Sequence, residues 1–319
     1  MKVLITGAFG LIGSNLLNHL KFLTTDEILC ADLRNFRTMK VAKKYNKRFS
    51  IKWGDLADVK YVEEIVKNQD LIIHLAYQLP PITQKNLIRS EKTNLEGTRN
   101  IIDIAKKQEK PPRIIFASSV SIYGDTRDKS QPLPLNTEFN PADKYAKNKV
   151  ECMKMIEKSG LEYSFFVIAS VVRVDGLTID PKMFDVPLDT PFELIHPIDI
   201  GEAFYNAISS EKIWNQLLHI GGGKHCRANY KEFLDISMER MGLGPLPEGA
   251  FGGNLYHTSY LNSEKSNELL DYQKHTLFDI LIDIEMNNKF IISIVKLLRP
   301  LARRYLLKQS PYYKFHSKK

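Results

Sequence analysis

Residues 3–13 read V-L-I-T-G-A-F-G-L-I-G, an apolar run that breaks into glycines at Gly7, Gly10 and Gly13 and then enters an amphipathic stretch, 11–22. Strand, glycine turn and helix in that order open a dinucleotide-binding βα unit. The first glycine permits the tight turn, the second lets backbone N–H groups approach a pyrophosphate, and the third lets helix and strand pack closely, with the phosphate at the positive end of the helix dipole. Phe9, Leu11 and Ile12 complete this expected cofactor loop. The spacing is G-x-x-G-x-x-G rather than G-x-G-x-x-G, so the pattern alone is a weak match. Asp32 strengthens it: it ends a second apolar run, 27–31, where a carboxylate meets the adenosine ribose hydroxyls about 20 residues past the glycines.

Further apolar, β-branched runs follow at 50–53, 71–75, 113–117 and 163–169, with helical patterns at 11–22, 59–67, 86–107 and 143–158. Alternation of this kind predicts an α/β fold, a Rossmann-like doubly wound parallel sheet that binds ligands at the carboxyl ends of its strands. A small C-terminal substrate-binding lobe completes the expected architecture. The boundaries expected are 1–170 for the cofactor domain, with 195–225 returning to it, then 171–194 and 226–284 for the lobe and 285–319 for a basic tail. The Pro- and Asp-rich passage 175–191 reads as a loop lining the substrate pocket. Three scattered cysteines, Cys30, Cys152 and Cys226, fit a reducing compartment and suggest no metal site.

Tyr145 and Lys149 lie four residues apart on a predicted helix, so both side chains project from one face. A lysine ammonium favours the phenolate and draws a phenol pKa of about 10 toward the working range of a general base. The same spacing also arises by chance on a solvated, Lys-rich helix. Upstream, F-A-S-S-V-S-I-Y-G at residues 116–124 closes a strand with hydroxyls at its carboxyl end, where a serine can hold a substrate oxygen.

With these residues the chain resembles an extended short-chain dehydrogenase/reductase of the NAD-dependent epimerase/dehydratase family. The resemblance runs from Met1 to about Tyr272. It rests on T-G-A-F-G-L-I-G, W-G-D-L with Asp55 and Leu56, H-L-A at residues 74–76, N-L-E-G-T at 94–98, the Ser-rich strand end, Y-A-K-N-K, and H-P-I-D-I-G-E-A at 196–203. It implies adenine contacts at Asp55 and Leu56, and further cofactor contacts at Leu75, Ala76 and Asn94. It also implies that Tyr145 removes a hydroxyl proton while hydride leaves the same carbon for the nicotinamide. Lys149 is implied to hold the cofactor ribose and tune Tyr145. Ser119, four residues before Tyr123, is implied to orient the oxygen, with Ser118 and Ser121 as neighbouring substrate candidates.

Three departures bear on the substrate. Where nucleotide-sugar enzymes of the family commonly carry Arg, Asn and Gly-Pro after the sixth strand, this chain has Ile168, Val171 and Asp175-Gly176, so the usual diphosphate-sugar grip is in doubt. The segment from Tyr145 to His196 is short. Val120-Ser121-Ile122 replaces the Asp-Glu pair a 4,6-dehydratase would want. Arg173 is a candidate cation for an anionic substrate, with a surface role as the alternative. His74 reads as a packed strand residue, and His196 and Asp199 as a bridge between lobes. Arg34 could meet a 2′-phosphate, but Asp32 repels one, so NAD is expected in preference to NADP. The reading is an NAD-dependent epimerase of a sugar or sugar-nucleotide-like substrate. Its rivals are an NAD(P)-dependent dehydrogenase/reductase of a non-nucleotide alcohol or ketone, and a non-catalytic cofactor sensor.

From 285 to the C-terminus stand nine basic residues against Glu285 alone, which equals the whole net charge of +8 and leaves residues 1–284 neutral. The body is therefore not expected to bind nucleic acid. Residues 290–308, F-I-I-S-I-V-K-L-L-R-P-L-A-R-R-Y-L-L-K, are too charged to span a bilayer. A broken amphipathic basic helix there either lies on an anionic membrane surface or packs on the body or a second subunit. The expected partners are a small-molecule substrate and a second copy in a homodimer. The expected location is the cytoplasm, at the inner membrane surface if the tail docks there.

Overall fold

A computed structural model describes residues 1–23, 25–78, 92–176, 180–253 and 258–314. Seven strands pair in parallel in the order β3-β2-β1-β4-β5-β6-β9: β1 (Lys2–Thr6), β2 (Glu27–Asp32), β3 (Ser50–Trp53), β4 (Leu71–His74), β5 (Arg113–Ser119), β6 (Tyr163–Ile168) and β9 (Gln216–Ile220). Order reverses between β1 and β4, so a crevice opens at the carboxyl ends of those two strands, the place where such sheets take a ligand. Six of the strands coincide with the apolar runs. Their central residues, such as Val3, Leu4, Ile5, Ile72, Ile114, Phe116 and Phe166, are fully buried, as expected of a sheet covered on both faces.

The covering helices are α1 (Leu11–Leu23), α2 (Phe36–Ala42), α3 (Val59–Val66), α4 (Gly97–Ala105), α5 (Lys144–Glu157) and α6 (Pro197–Ile208). Helix α2 has no counterpart among the helical patterns of the sequence. It is fixed by a capping box in which Asn35 and Thr38 satisfy each other's backbone. The helical pattern expected over 86–107 is partly described: a π-helical turn, Lys92–Glu96, runs into α4, and residues 86–91 lie outside the described residues.

A three-stranded sheet of β10 (Arg227–Asn229), β8 (Pro191–Ile195) and β7 (Ser170–Val171) builds the second lobe with α7 (Tyr230–Arg240), α9 (Leu277–Asn287), α10 (Lys289–Leu297) and α11 (Arg299–Leu307), whereas α8 (Glu264–Leu270) packs back on the first sheet, with Leu270 in its core and Ser266 donating to the His219 carbonyl. The lobe's separate core gathers Phe184, Phe192, Leu194, Leu234, Ile280, Leu306 and Leu307. Residues 285–314 take the alternative of packing on the body: Leu306 and Leu307 are buried in the lobe core and Arg240 pairs with Glu285 at 2.9 Å. The passage 175–191 is not all pocket loop, because Phe184 is buried in the same core.

Candidate active site

The glycine loop folds as its spacing implies, and each glycine has its own constraint. Gly7 takes φ +67°, and a Cβ there would lie 2.7 Å from the backbone of Ala76 at the end of β4. At Gly13 a Cβ would lie 2.6 Å from the carbonyl oxygen of Ala8, so only glycine lets α1 sit this close to the loop. Gly10 is exposed, and a Cβ there would lie 3.2 Å from the Gly7 oxygen, a tight contact but less severe than those at Gly7 and Gly13. The amides of Leu11, Ile12 and Gly13 open α1 beside it, ahead of the first helical bond from Ser14 N to Gly10 O at 2.9 Å, the kind of helix start that takes a phosphate. Leu75 N donates to the Thr6 carbonyl at 3.1 Å and Ala76 N to the Thr6 hydroxyl at 3.3 Å, which sets the β4 end against the loop.

Asp32 ends β2 with one carboxylate oxygen accepting from Phe9 N at 2.9 Å and the other from Leu33 N at 2.8 Å. Burial pushes this carboxyl above its ordinary pKa, opposed by those two N–H groups and by the Arg37 guanidinium. Arg37, on α2, escaped the sequence reading. Arg34, the candidate for a 2′-phosphate, is exposed on the connecting loop.

Several expected cofactor residues make contacts within the protein. Phe9 is 2% exposed, its N–H is committed to Asp32, and its ring packs 5.3 Å from Trp53. Leu56 is buried beneath Gly97, its carbonyl held by Asn100 at 2.9 Å, while Asp55 folds back onto Ala57 N at 3.0 Å. Asn94 is fully buried and spends its amide on the Gln78 backbone, at 2.8 Å from N and 3.4 Å from O. It holds the segment after β4 in place. His74 is likewise a packed strand residue. Its two ring nitrogens meet the Thr6 and Thr98 hydroxyls at 2.7 and 3.0 Å, and burial lowers its pKa to about 3.

Tyr145 and Lys149 sit on α5, which Asp143 caps by accepting from Ala146 N at 2.7 Å. The Lys149 ammonium is buried and donates to the Ala117 carbonyl at 2.5 Å, two residues before Ser119 on β5. It also lies 3.6 Å from the centre of the Tyr77 ring and 6.0 Å from that of Tyr145. Tyr77, which the sequence reading missed, packs edge-on against Tyr145 at 5.5 Å and forms one wall of this cluster. Ser119 Oγ accepts from Ser121 N at 3.3 Å and Ser121 Oγ at 3.0 Å, so these two hydroxyls stay together at the strand end. Ser118 does not join them. Its hydroxyl is buried against Met153 Sδ at 3.1 Å. Arg173 is not brought in either, since both arms of its guanidinium are taken by Asp175 at 3.0 and 2.9 Å on an exposed loop.

Burial lowers the Lys149 pKa to about 7. The unfolded value is about 10.4, so above pH 7 the unfolded chain binds more protons at this site and the cofactor-free protein gains stability as pH rises. The buried thiols Cys30 and Cys152, raised to about 12 and 11, act in the opposite direction as unfolded cysteines ionise near pH 8.5. Denaturant melts between pH 7 and about 8 should therefore show a positive slope that shrinks in Lys149→Met; equal slopes would contradict this charge state.

His196 and Asp199 bridge the lobes. Asp199 accepts from Lys274 N and His275 N at 3.1 and 3.0 Å and pairs with the His275 ring, which stacks on His196 at 4.1 Å. These three side chains are close enough to share a metal ion. However, His196 Nδ1 accepts from Ile198 N at 3.1 Å, which leaves the ring proton on Nε2, facing Asp283 at 3.3 Å. The cluster is a hydrogen-bonded strut.

Residues 3–178, more than half of the chain, match the model of the NAD dependent epimerase/dehydratase family. The chain belongs to that family. Among its relatives, UDP-glucuronic acid decarboxylase 6 of Arabidopsis thaliana is 34% identical over 128 residues, 39% of this chain and 35% of the relative. D-erythronate dehydrogenase of Haemophilus influenzae is 29% identical over 185 residues, 57% of this chain and 56% of the relative. The chain thus spans between about a third and a little over half the length of these two family members. The fold of the whole chain is shared more widely: UDP-glucuronic acid 4-epimerase from Bacillus cereus, solved with UDP-glucuronic acid and NAD, superimposes with a TM-score of 0.77 at 18% identity, covering 91% of this chain and 100% of that one.

Proposed function

We propose that this chain is an NAD-dependent epimerase that inverts a carbinol carbon of a sugar or sugar nucleotide through a transient keto intermediate. The single observation that carries this reading is the grouping of Tyr145, Lys149 and the Ser119 hydroxyl around the carboxyl end of β5, beside the crevice that the glycine loop and Asp32 border. The residues fit the dinucleotide: Gly10 leaves the cradle open, and the Asp32 carboxylate is held in place to meet ribose hydroxyls. When bound, NAD supplies the hydride acceptor and returns the hydride.

The chain's own residues do the rest. Ser119 donates to the substrate oxygen and fixes the carbinol, and the Tyr145 phenolate accepts the hydroxyl proton as the carbon is oxidised. Lys149, shielded by Tyr77 and held by the Ala117 carbonyl, favours the phenolate when charged. On the return the Tyr145 hydroxyl gives the proton back, so the residue ends the cycle as it began. The turn Val120–Tyr123 carries no carboxylate, which favours epimerisation over dehydration.

A second reading, a net dehydrogenase of a smaller alcohol, draws on the D-erythronate dehydrogenase relative and on the apolar Ile168, which ends β6, and Val171 in β7. Cofactor fate separates the two. Incubation with a panel of UDP- and dTDP-hexoses and uronates should yield an inverted sugar with no accumulation of free NADH. Stoichiometric NADH would favour the dehydrogenase.

The Asp32 carboxylate should make NAD bind at least about tenfold more tightly than NADP, because a charge close to a 2′-phosphate costs several times the 1.4 kcal/mol of a tenfold change. Titration of both cofactors checks this, and tighter NADP binding would assign the site to Arg34 and Arg37 instead.

A further inference from the structure

Helices α10 and α11 have two apolar sides. The inner side is spent on the lobe: Ile292, Leu306 and Leu307 are buried, and Arg303 donates to the carbonyls of Leu243 and Gly244 at 2.9 and 3.1 Å. The outer side is not. Phe290, Ile294 and Leu297 recur three or four residues apart along α10, and Leu301 and Tyr305 four apart along α11; all five are exposed, Leu297 82% and Phe290 75%, as is Met286 at the end of α9. Exposed apolar side chains gathered in one segment and rimmed by polar residues mark an interaction site. Lys289, Arg304 and Lys308 are exposed in the same segment, which holds the protein's entire net positive charge.

We propose that this face docks in the plane of an anionic lipid surface. Charge complementarity selects that occupant. A second copy meeting the face through a two-fold axis would set the same basic residues against each other, and the neutral remainder of the chain offers no compensating charge excess. A bilayer of anionic headgroups neutralises the rim while the apolar stripe enters the acyl boundary, the arrangement of an interfacial amphipathic helix. No helix among the described residues is long and apolar enough to cross a membrane, so the contact lies on the surface. Because the inner side is locked into the second core, docking holds the substrate lobe itself at the membrane. The inference is independent of the reaction assigned above.

The test is flotation of the full chain with phosphatidylcholine vesicles, with and without phosphatidylserine, for wild type, Leu297→Glu/Leu301→Glu and Lys289→Gln/Lys308→Gln. Wild type should float only with phosphatidylserine present, and less as salt shortens the Debye length. The lysine pair should weaken binding by more than about tenfold, at roughly fivefold per charge. The glutamate pair should abolish it with melting temperature and NAD affinity unchanged. If the glutamate pair melts early, Tyr305→Trp with bromine-labelled lipid gives a second reading, in which quenching of the added emission is expected. The proposal is overturned by wild type that ignores anionic vesicles at low salt, by vesicle binding that survives in a folded glutamate pair, by added emission in Tyr305→Trp that the labelled lipid leaves unquenched, or by a wild-type dimer that the glutamate pair dissociates.

Discussion

Tyr145→Phe should lower turnover by about 10²–10⁴-fold, the usual worth of a positioned general base, while the NAD dissociation constant stays within about threefold. The two effects separate because the parts are separate. In the proposed reaction the phenol meets the substrate from α5, whereas the dinucleotide is gripped at the glycine loop and Asp32, on β1, α1 and β2. The ring that remains still packs edge-on against Tyr77, so the α5 wall should keep its shape. Turnover of the variant on the inverted sugar nucleotide, with NAD titrated alongside, reads both quantities. Near-normal turnover would remove Tyr145 from the mechanism, and a large loss of NAD affinity would give it a binding role.

Gly13→Ala and Gly10→Ala should fail in opposite ways. The new methyl at position 13 would sit 2.6 Å from the Ala8 oxygen, a backbone atom pinned by the turn, so the cost is the overpacking penalty of about 2–3 kcal/mol and a melting temperature lower by several degrees. At position 10 the methyl meets the Gly7 oxygen at 3.2 Å, a milder clash, so stability should fall by less than in the Gly13 variant. NAD affinity, in contrast, should fall by more than about tenfold, because the methyl projects where a phosphate meets the helix N-terminus. Paired thermal melts and NAD titrations check this split. A Gly10 variant that binds NAD normally would mean that the loop does not hold the pyrophosphate.

The parallel sheet was legible because β-branched runs at the right spacing leave a fully buried strand few alternatives, as in residues 71–74 and 113–119. Strand β9 was not, since Q-L-L-H-I is short and mixed, and its place at the sheet edge follows from pairing with β6. The chemistry-bearing types were legible, but their assignments depended on distant partners. Nothing local to Asn94 indicates that its amide closes on Gln78, and Ser119 was set apart from Ser118 only by its distance from Tyr123, not by the contact that draws the Ser118 hydroxyl to Met153 on α5. Arg173 is different. Asp175, two residues on, was in plain view as its partner, and local pairing outweighs an unassigned substrate. The amphipathic, basic character of the tail is plain in its sequence. Its second apolar stripe, which ties it to the lobe, became visible only once Leu306 and Leu307 had found a core to enter.

In the proposed reaction hydride leaves a sugar carbon and returns to that same carbon within one enzyme-bound cycle. A sugar nucleotide that the enzyme inverts, carrying deuterium at the inverting carbon, tests this. The epimeric product should keep the deuterium at that carbon, with none in water and none in released NADH. Deuterium in free NADH would show a net dehydrogenase, and deuterium lost to water would show that the carbon is deprotonated rather than oxidised.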